Sequence, residues 1–312
     1  MLKVAFLDFV FENREEIRLA GCEFQIHPPL RTAEEIIAAA QDADVLSMRD
    51  QFGQVTREVF EQLPKLKLIV TRSAGHDHID LTEAKKRGIT VCNVPDYGAH
   101  MIAEHAFGLL LAVARNVVKG NNRYKGEHLF SDRGLQGIEL YGKTLGVIGT
   151  GRIGLHSIRI AKGFGMQVIA FDAFENPAAP EQLGFRYVPL ERVLSESHAV
   201  TLHVTLNDTT RHLINAERLS QMRRGSILIN TSRGAVVDTQ AVMAVLRSGY
   251  LGGAGLDVLE DEHDTYHDFA DLNVVVTPHL GWYTDGAVER ILKITIEDIA
   301  AFMHGASVNR LV

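Results

Sequence analysis

Residues 144–172 read TLGVIGTGRIGLHSIRIAKGFGMQVIAFD. An apolar run (Leu145, Val147, Ile148) meets Gly149, Gly151 and Gly154 in G-x-G-x-x-G spacing. An amphipathic segment follows, and a second apolar run (Val168, Ile169, Ala170) ends on Asp172, 18 residues past the last glycine. Three glycines alone are a weak signal. A strand before them, a helix after them and an acid at that distance make the stretch a dinucleotide-binding βαβ unit. Gly149 lets the chain turn tightly off the strand, Gly151 lets backbone approach a pyrophosphate, and Gly154 lets the helix pack closely on the sheet. The phosphates then meet the N–H groups of Arg152, Ile153 and Gly154 at a helix N-terminus, where the dipole favours negative charge.

Asp172 selects the dinucleotide. A carboxylate at the end of the second strand accepts both hydroxyl hydrogens of an adenosine ribose and repels a 2′-phosphate. Ala173, Phe174 and Glu175 follow, with no Arg or Lys to receive that phosphate. The expected cofactor is NAD rather than NADP.

At 312 residues the chain is long for one core, which predicts two domains. With 46% hydrophobic and 23% charged residues it has the composition of an ordinary globular protein. The net charge of −7 and the lack of a basic cluster argue against nucleic acid. No apolar stretch approaches the length of a membrane span, and MLKVAFLDF is too short an apolar run for a signal peptide. Cys22 and Cys92 lack C-x-x-C spacing and read as buried free thiols, which fits a reducing cytoplasm.

Before residue 98, strands at Val4–Phe9, Asp44–Met48, Leu66–Thr71 and Ile89–Val94 alternate with helices at Thr32–Ala43, Thr56–Leu63 and Leu81–Arg87. The first helix opens T-A-E-E, a capping box of Thr32 with Glu35. Such alternation implies a parallel sheet covered on both faces. A single long helix, apolar on most sides, is predicted from about residue 99 to about Lys119, buried between layers or in a subunit contact. Further strands fall at Ala199–Val204, Ser226–Thr231, Ala254–Val258 and Val274–Thr277, and a last helix at Asp285–His304. The expected fold is α/β, with two Rossmann-like doubly wound domains and an interdomain cleft. Residues 1–98 plus 284–312 form a flavodoxin-like substrate domain, and 99–283 an NAD-binding Rossmann domain.

Three predicted strands of the second domain end in groups able to do chemistry: Asn230–Gly234, Gly255–Glu262 and Thr277–Trp282. Ligands of open α/β sheets sit at the carboxyl ends of strands, so Arg233, Glu262 and His279 could converge. Arg233 can hold a carboxylate bidentately and polarise the neighbouring carbonyl. His279 can give a proton to a developing alkoxide, and Glu262 can orient the imidazole and raise its pKa.

SRGAVVD, GLDVLEDE and TPHLGWYT, with GTGRIG and AEHAFGLLL, resemble the D-isomer-specific 2-hydroxyacid dehydrogenases over nearly the whole chain. The resemblance implies the catalytic set Arg233, Glu262 and His279. It assigns His203, Thr231 and Asp257 to the cofactor, with Asp257 near the nicotinamide carboxamide. It implies that the Ser73-Ala74-Gly75 backbone cradles the substrate carboxylate. NVPDYGAHMIAEH is most similar to the D-lactate and D-hydroxyisocaproate members, which places Tyr97 on that carboxylate. Trp282 then lines the side-chain pocket, with Phe52 beside it, and leaves room for a small, pyruvate-like 2-keto acid. The family also implies a homodimer through the nucleotide domain. No metal, nucleic-acid or membrane partner is expected.

The chain departs from the pattern at Thr205, where proline is usual, and at His76 and His78, read as solvent-facing loop residues. His105 and Glu104 read as structural polar contacts. A phosphite-type dehydrogenase and a dinucleotide-sensing corepressor on the same fold are the competing readings. Glu262 stands where formate-type enzymes carry Gln.

Overall fold

In a computed structural model, residues 1–7, 17–49, 53–260, 269, 272–306 and 308–312 are described. The chain divides into two compact units: Met1–Tyr97 with Tyr283–Val312, and Gly98–Trp282.

The first unit begins β1 (Leu2–Phe6), β2 (Cys22–Ile26), α1 (Ala33–Ala40), β3 (Val45–Met48), α2 (Arg57–Gln62), β4 (Leu68–Thr71), α3 (Leu81–Lys86) and β5 (Thr90–Asn93). Its five strands are parallel in the order β2-β1-β3-β4-β5. The central strands VLSM and LIVT are buried throughout, as strands covered on both faces must be. Ala5, Leu46, Ile69 and Val91 pack on one face against Ile36, Val59 and Phe60 of α1 and α2. The capping box is formed: Glu35 N–H donates to Thr32 Oγ1 at 3.2 Å, and Thr32 N–H donates to Glu35 Oε2 at 3.1 Å.

The second unit runs α4 (Ala99–Ala114), α5 (Val117–Glu127), β6 (Thr144–Ile148), α6 (Arg152–Gly163), β7 (Gln167–Phe171), α7 (Ala179–Leu183), β8 (Arg186–Tyr187) and α8 (Leu190–Glu196). It continues through β9 (Ala199–Leu202), α9 (Ala216–Gln221), β10 (Ile227–Asn230), α10 (Thr239–Arg247), β11 (Gly253–Leu256) and β12 (Val274–Val276). The seven strands are parallel in the order β12-β11-β10-β9-β6-β7-β8. Leu145, Val147, Val168, Ala170 and Ile229 meet α4 and α6 on one face, while Val200, Leu202, Leu228 and Leu256 meet Val193, Leu219 and Val242 on the other. No single helix among the described residues is long and apolar enough to cross a membrane.

The single helix expected over 99–119 is two. Asn116 adopts the left-handed conformation (φ +51°), and α5 leaves α4 at 61°. The cause is the segment 135–138, which crosses the end of α4. Ile138 N–H takes the Ala114 carbonyl at 2.9 Å, and Asn116 Nδ2 donates to Gln136 O at 3.2 Å. Asn tolerates this backbone region better than other side chains. Helix α4 is largely buried as expected, but α5 buries no residue.

Tyr283 onward returns to the first unit, where α11 (Asp285–Met303) places Ile299 against Val4, Val45, Leu68 and Val70. Cys92, also in that layer, is a buried free thiol; Cys22 is only half-buried, with Sγ 3.5 Å from Met303 Sδ. Asp298 on α11 is 1% exposed. Its Oδ1 accepts from Asn309 Nδ2 at 3.1 Å, and Oδ2 has no hydrogen-bond partner among the described residues. Burial pushes this carboxyl up to about 7. An acid raised in the folded state costs stability as pH climbs from its unfolded value near 4 to its folded value, and the whole cost is present above that. Asp298→Asn is therefore expected to stabilise the protein by about 2–4 kcal/mol at pH 8 and by little at pH 4. Urea unfolding at the two pH values checks this; equal gains at both would exclude ionisation as the cause.

Candidate active site

Because every strand of the second unit is parallel, all carboxyl ends share one edge. Gly149, Asp172, His203, Thr231, Asp257 and Thr277 follow β6, β7, β9, β10, β11 and β12 on that edge. The chain runs outward from β6 in one direction through β7 and β8, and in the other through β9 to β12. The reversal lies between β6 and β9, the switch point at which such sheets bind ligands.

The glycine turn occupies that point. Gly149 has φ +91°, and a Cβ there would lie 2.5 Å from the His203 carbonyl oxygen. A Cβ on Gly154 would overlap the Gly149 carbonyl, whereas one on Gly151 would meet nothing within 4 Å. The turn is thus closed on its protein side and open at Gly151, the N-cap of α6, which offers no side chain to the first amides of the helix. Thr231 Oγ1 is buried without a hydrogen-bond partner among the described residues. An uncapped helix start and an orphaned hydroxyl on one sheet edge fit a bound dinucleotide.

Asp172 ties the turn to β7. Its Oδ2 accepts from Thr150 N–H at 2.5 Å and from Thr150 Oγ1 at 2.8 Å, and Oδ1 accepts from Phe174 N–H at 2.9 Å. Oδ1, which accepts a single bond, keeps lone-pair capacity for a ribose hydroxyl. Asp172→Ala is expected to weaken NADH binding about tenfold or more and to narrow its advantage over NADPH, since a charge-assisted hydrogen bond contributes roughly 1.5–3 kcal/mol. Titration with both dinucleotides reads this; an unchanged ratio assigns selectivity elsewhere.

His203 enters this site through its main chain. Its Nε2 lies 2.9 Å from Ser157 Oγ on α6 and 3.1 Å from Thr201 Oγ1 on β9. Burial pushes its pKa down to about 3, so the ring is a neutral brace between helix and sheet.

Past β10, Asn230 arranges the Arg233 loop. Its Oδ1 accepts from Ser232 N–H at 3.0 Å and from Ser232 Oγ at 2.7 Å, and its Nδ2 donates to Arg233 O at 2.9 Å. A Cβ on Gly234 would overlap the Leu259 carbonyl, so the chain after β11 lies directly against the chain after Arg233. That second chain is also held by His212, whose Nε2 is 2.7 Å from Glu260 Oε1. Glu262, like Phe52, lies outside the described residues.

Asp257, expected beside the nicotinamide, is occupied with the loop that bears His279. Its Oδ1 accepts from Thr277 Oγ1 at 2.5 Å and from Leu280 N–H at 2.8 Å, and its Oδ2 accepts from Gly281 N–H at 2.9 Å. Its main-chain oxygen accepts from His279 N–H at 2.8 Å. Burial pushes the carboxyl up, but hydrogen bonds from His105, Thr277 and Gly281 outweigh it and hold the group below its usual range. The loop's bonds to Asp257 also stabilise the left-handed conformation of His279 (φ +53°), which costs a non-glycine residue about 1–2 kcal/mol. Half-buried Trp282 follows directly.

In the first unit the Ser73-Ala74-Gly75 loop follows β4. Ser73 Oγ donates to Gly75 O at 2.7 Å, Asn93 Nδ2 donates to Ala74 O at 2.9 Å, and Val94 N–H takes Ser73 O at 3.0 Å. His78 is not solvent-facing: it is 6% exposed, with Nε2 3.1 Å from Thr71 Oγ1, and so supports the loop from within. Tyr97 is buried, and its carbonyl accepts from Arg290 Nε on α11. Neither the bracing role of Asn230 nor the contact of Arg290 was expected from the sequence. The Asx signature N-T-S could have singled out Asn230; a contact from a helix 193 residues away leaves no local mark.

Residues 107–281 match the family model described as D-isomer specific 2-hydroxyacid dehydrogenase, NAD binding domain. A glyoxylate reductase of Pyrococcus furiosus is 41% identical over 280 residues, 87% of this chain and 83% of that protein. Among solved structures, the apo form of D-lactate dehydrogenase from Escherichia coli is 34% identical with a TM-score of 0.87, covering all of both chains. D-lactate dehydrogenase from Aquifex aeolicus, complexed with NAD and lactic acid, is 33% identical with a TM-score of 0.87, covering 97% of this chain and 96% of that one.

Proposed function

The chain belongs to the D-isomer-specific 2-hydroxyacid dehydrogenases, NAD-dependent oxidoreductases acting on CH–OH groups, and from that premise we propose that it interconverts a small 2-keto acid and its D-2-hydroxy acid. The observation that carries this is the shared sheet edge, which bears the glycine turn, Asp172, Arg233 and a braced His279. Bound NADH supplies a hydride to the keto carbon. Arg233 pairs with the substrate carboxylate and draws electron density from the carbonyl. His279 gives its proton to the carbonyl oxygen as that oxygen gains charge, and takes one back in the reverse direction. Glu262 orients the imidazole and favours its charged form. In the first unit, the backbone of Ser73, Ala74 and Gly75 and the hydroxyl of Tyr97 are the proposed carboxylate donors. Arg152, Ile153 and Thr231 serve the dinucleotide.

Trp282 as a bulky wall favours acids with a hydrogen or methyl substituent. Glyoxylate, named in the relatives at about two-fifths identity, and pyruvate, the keto form of the acid bound in the Aquifex structure, are both of that size. NADH oxidation with glyoxylate, pyruvate and phenylpyruvate tests the reading. Turnover of the first two and poor turnover of the third is expected; no oxidation with any 2-keto acid would leave the corepressor reading in its place.

The proposed assembly is a homodimer. Helix α5 buries none of its side chains, and Val117, Tyr124 and Phe130 are 55%, 58% and 94% exposed, an apolar arm that a second copy would cover. Light scattering at micromolar concentration should give twice the chain mass of 34.5 kDa.

A further inference from the structure

Beside Asp257, a second polar side chain reaches the His279 loop from outside it. His105 lies on α4, among Ala103, Ala106, Phe107 and Leu109, which are buried in the core. Its Nε2 stands 3.1 Å from Asp257 Oδ1 and 3.1 Å from Thr277 Oγ1. The Thr277 hydroxyl hydrogen is committed to Asp257 Oδ1 at 2.5 Å, so both neighbours present lone pairs to the imidazole. The network therefore assigns the proton to Nε2, which donates to both at once.

We infer that His105 is a positioning residue for the acid–base step, holding the Asp257 carboxylate in the orientation that fixes the turn bearing His279. Asp257 is 2% exposed and receives Thr277, Leu280 and Gly281 from that turn through its side chain and His279 through its main chain. Every residue of Thr277–Gly281 except Pro278 thus donates to Asp257, whose carboxylate alone spans the loop. Of the hydrogen bonds to its carboxylate among the described residues, the one from His105 comes from outside the turn, and this contact ties the turn to the helix rather than to itself. A Cβ on Gly281 would lie 2.9 Å from Asp257 Oδ2 and 3.5 Å from His105 Cδ2, so the three groups are in close register. Without His105 the carboxylate is free to follow the turn, and the imidazole of His279 loses a fixed height above the sheet edge. A displacement of about 1 Å at a reacting group can cost on the order of a hundredfold in rate.

The inference rests on the proposed acid–base role of His279. The test compares His105→Phe, His105→Gln and Thr277→Val with His279→Gln, reading kcat, KM for NADH and the keto acid, the solvent deuterium isotope effect on kcat, and Tm. His105→Phe and Thr277→Val should lower kcat about tenfold to a hundredfold, leave both KM values within about threefold, and raise the isotope effect as proton transfer becomes limiting. His105→Gln, whose amide still donates to Asp257, should recover most of kcat. Wild-type kcat in His105→Phe beside an inactive His279→Gln would overturn the inference alone. Equal losses in the Phe and Gln variants, or losses tracking Tm, would overturn it too. Near-normal kcat in His279→Gln would remove the acid–base reading, and the inference with it.

Discussion

His279→Gln is expected to lower kcat for keto-acid reduction about a thousandfold, within the range of 10²–10⁴ that a positioned general acid contributes. The substitution removes the proton and little else. The turn around residue 279 is held by main-chain donors to Asp257 and by the Thr277 hydroxyl, none of which belongs to the imidazole. Glutamine adopts φ +53° somewhat less readily than histidine, a cost that falls on stability rather than on the reaction, and its amide still forms hydrogen bonds but delivers no proton. Affinity for NADH should therefore stay within a few-fold of wild type while turnover collapses. Steady-state kinetics combined with fluorescence titration of NADH separates the two quantities. A fall of tenfold or less in kcat would leave His279 without the role of acid.

Arg233→Lys is expected to reduce kcat/KM about a hundredfold to a thousandfold, some 3–4 kcal/mol of transition-state stabilisation. A planar fork grips both carboxylate oxygens and leans on the adjacent carbonyl; an ammonium is a point charge that does one of these at a time. The backbone carrying the side chain should be indifferent to the change. It is set by Asn230 holding Ser232 and the Arg233 carbonyl, and by Gly234 lying against Leu259. The loss should thus appear in substrate kinetics and not in Tm. Near-wild-type kcat/KM in this variant would take Arg233 out of the reaction.

Strand ends and glycine turns were legible because local rules govern them. G-x-G-x-x-G needs a close approach wherever it is found, and Gly149 and Gly154 make theirs. The Thr32–Glu35 box is written within four residues, and it forms. The break at Asn116 was illegible for the opposite reason: what stops α4 is a segment some 20 residues later, and an apolar periodicity continuing past the break conceals it. The loop contacts of Asp257 were hidden for the same reason. An acid after a strand near a predicted catalytic group suggests a ligand contact, and the loop donors that also engage it lie 20 to 24 residues on. His78 in turn looked like a loop residue because nothing adjacent announces that Thr71 receives it.

The first unit is made of two pieces of chain, and its last strand contact, the bridge between Cys92 and Arg310, joins residues near opposite ends of the sequence. On a ribosome this fixes an order of events. The Gly98–Trp282 unit is uninterrupted and can close its seven-stranded sheet as soon as β12 has left the exit tunnel. The earlier residues must wait, with the apolar layer of Val4, Val45, Leu68 and Val70 uncovered, until α11 brings Ile299 to it. A nascent chain stalled with residues 283–312 still inside the exit tunnel should therefore bind dinucleotide while its N-terminal segment remains a substrate for proteases and chaperones.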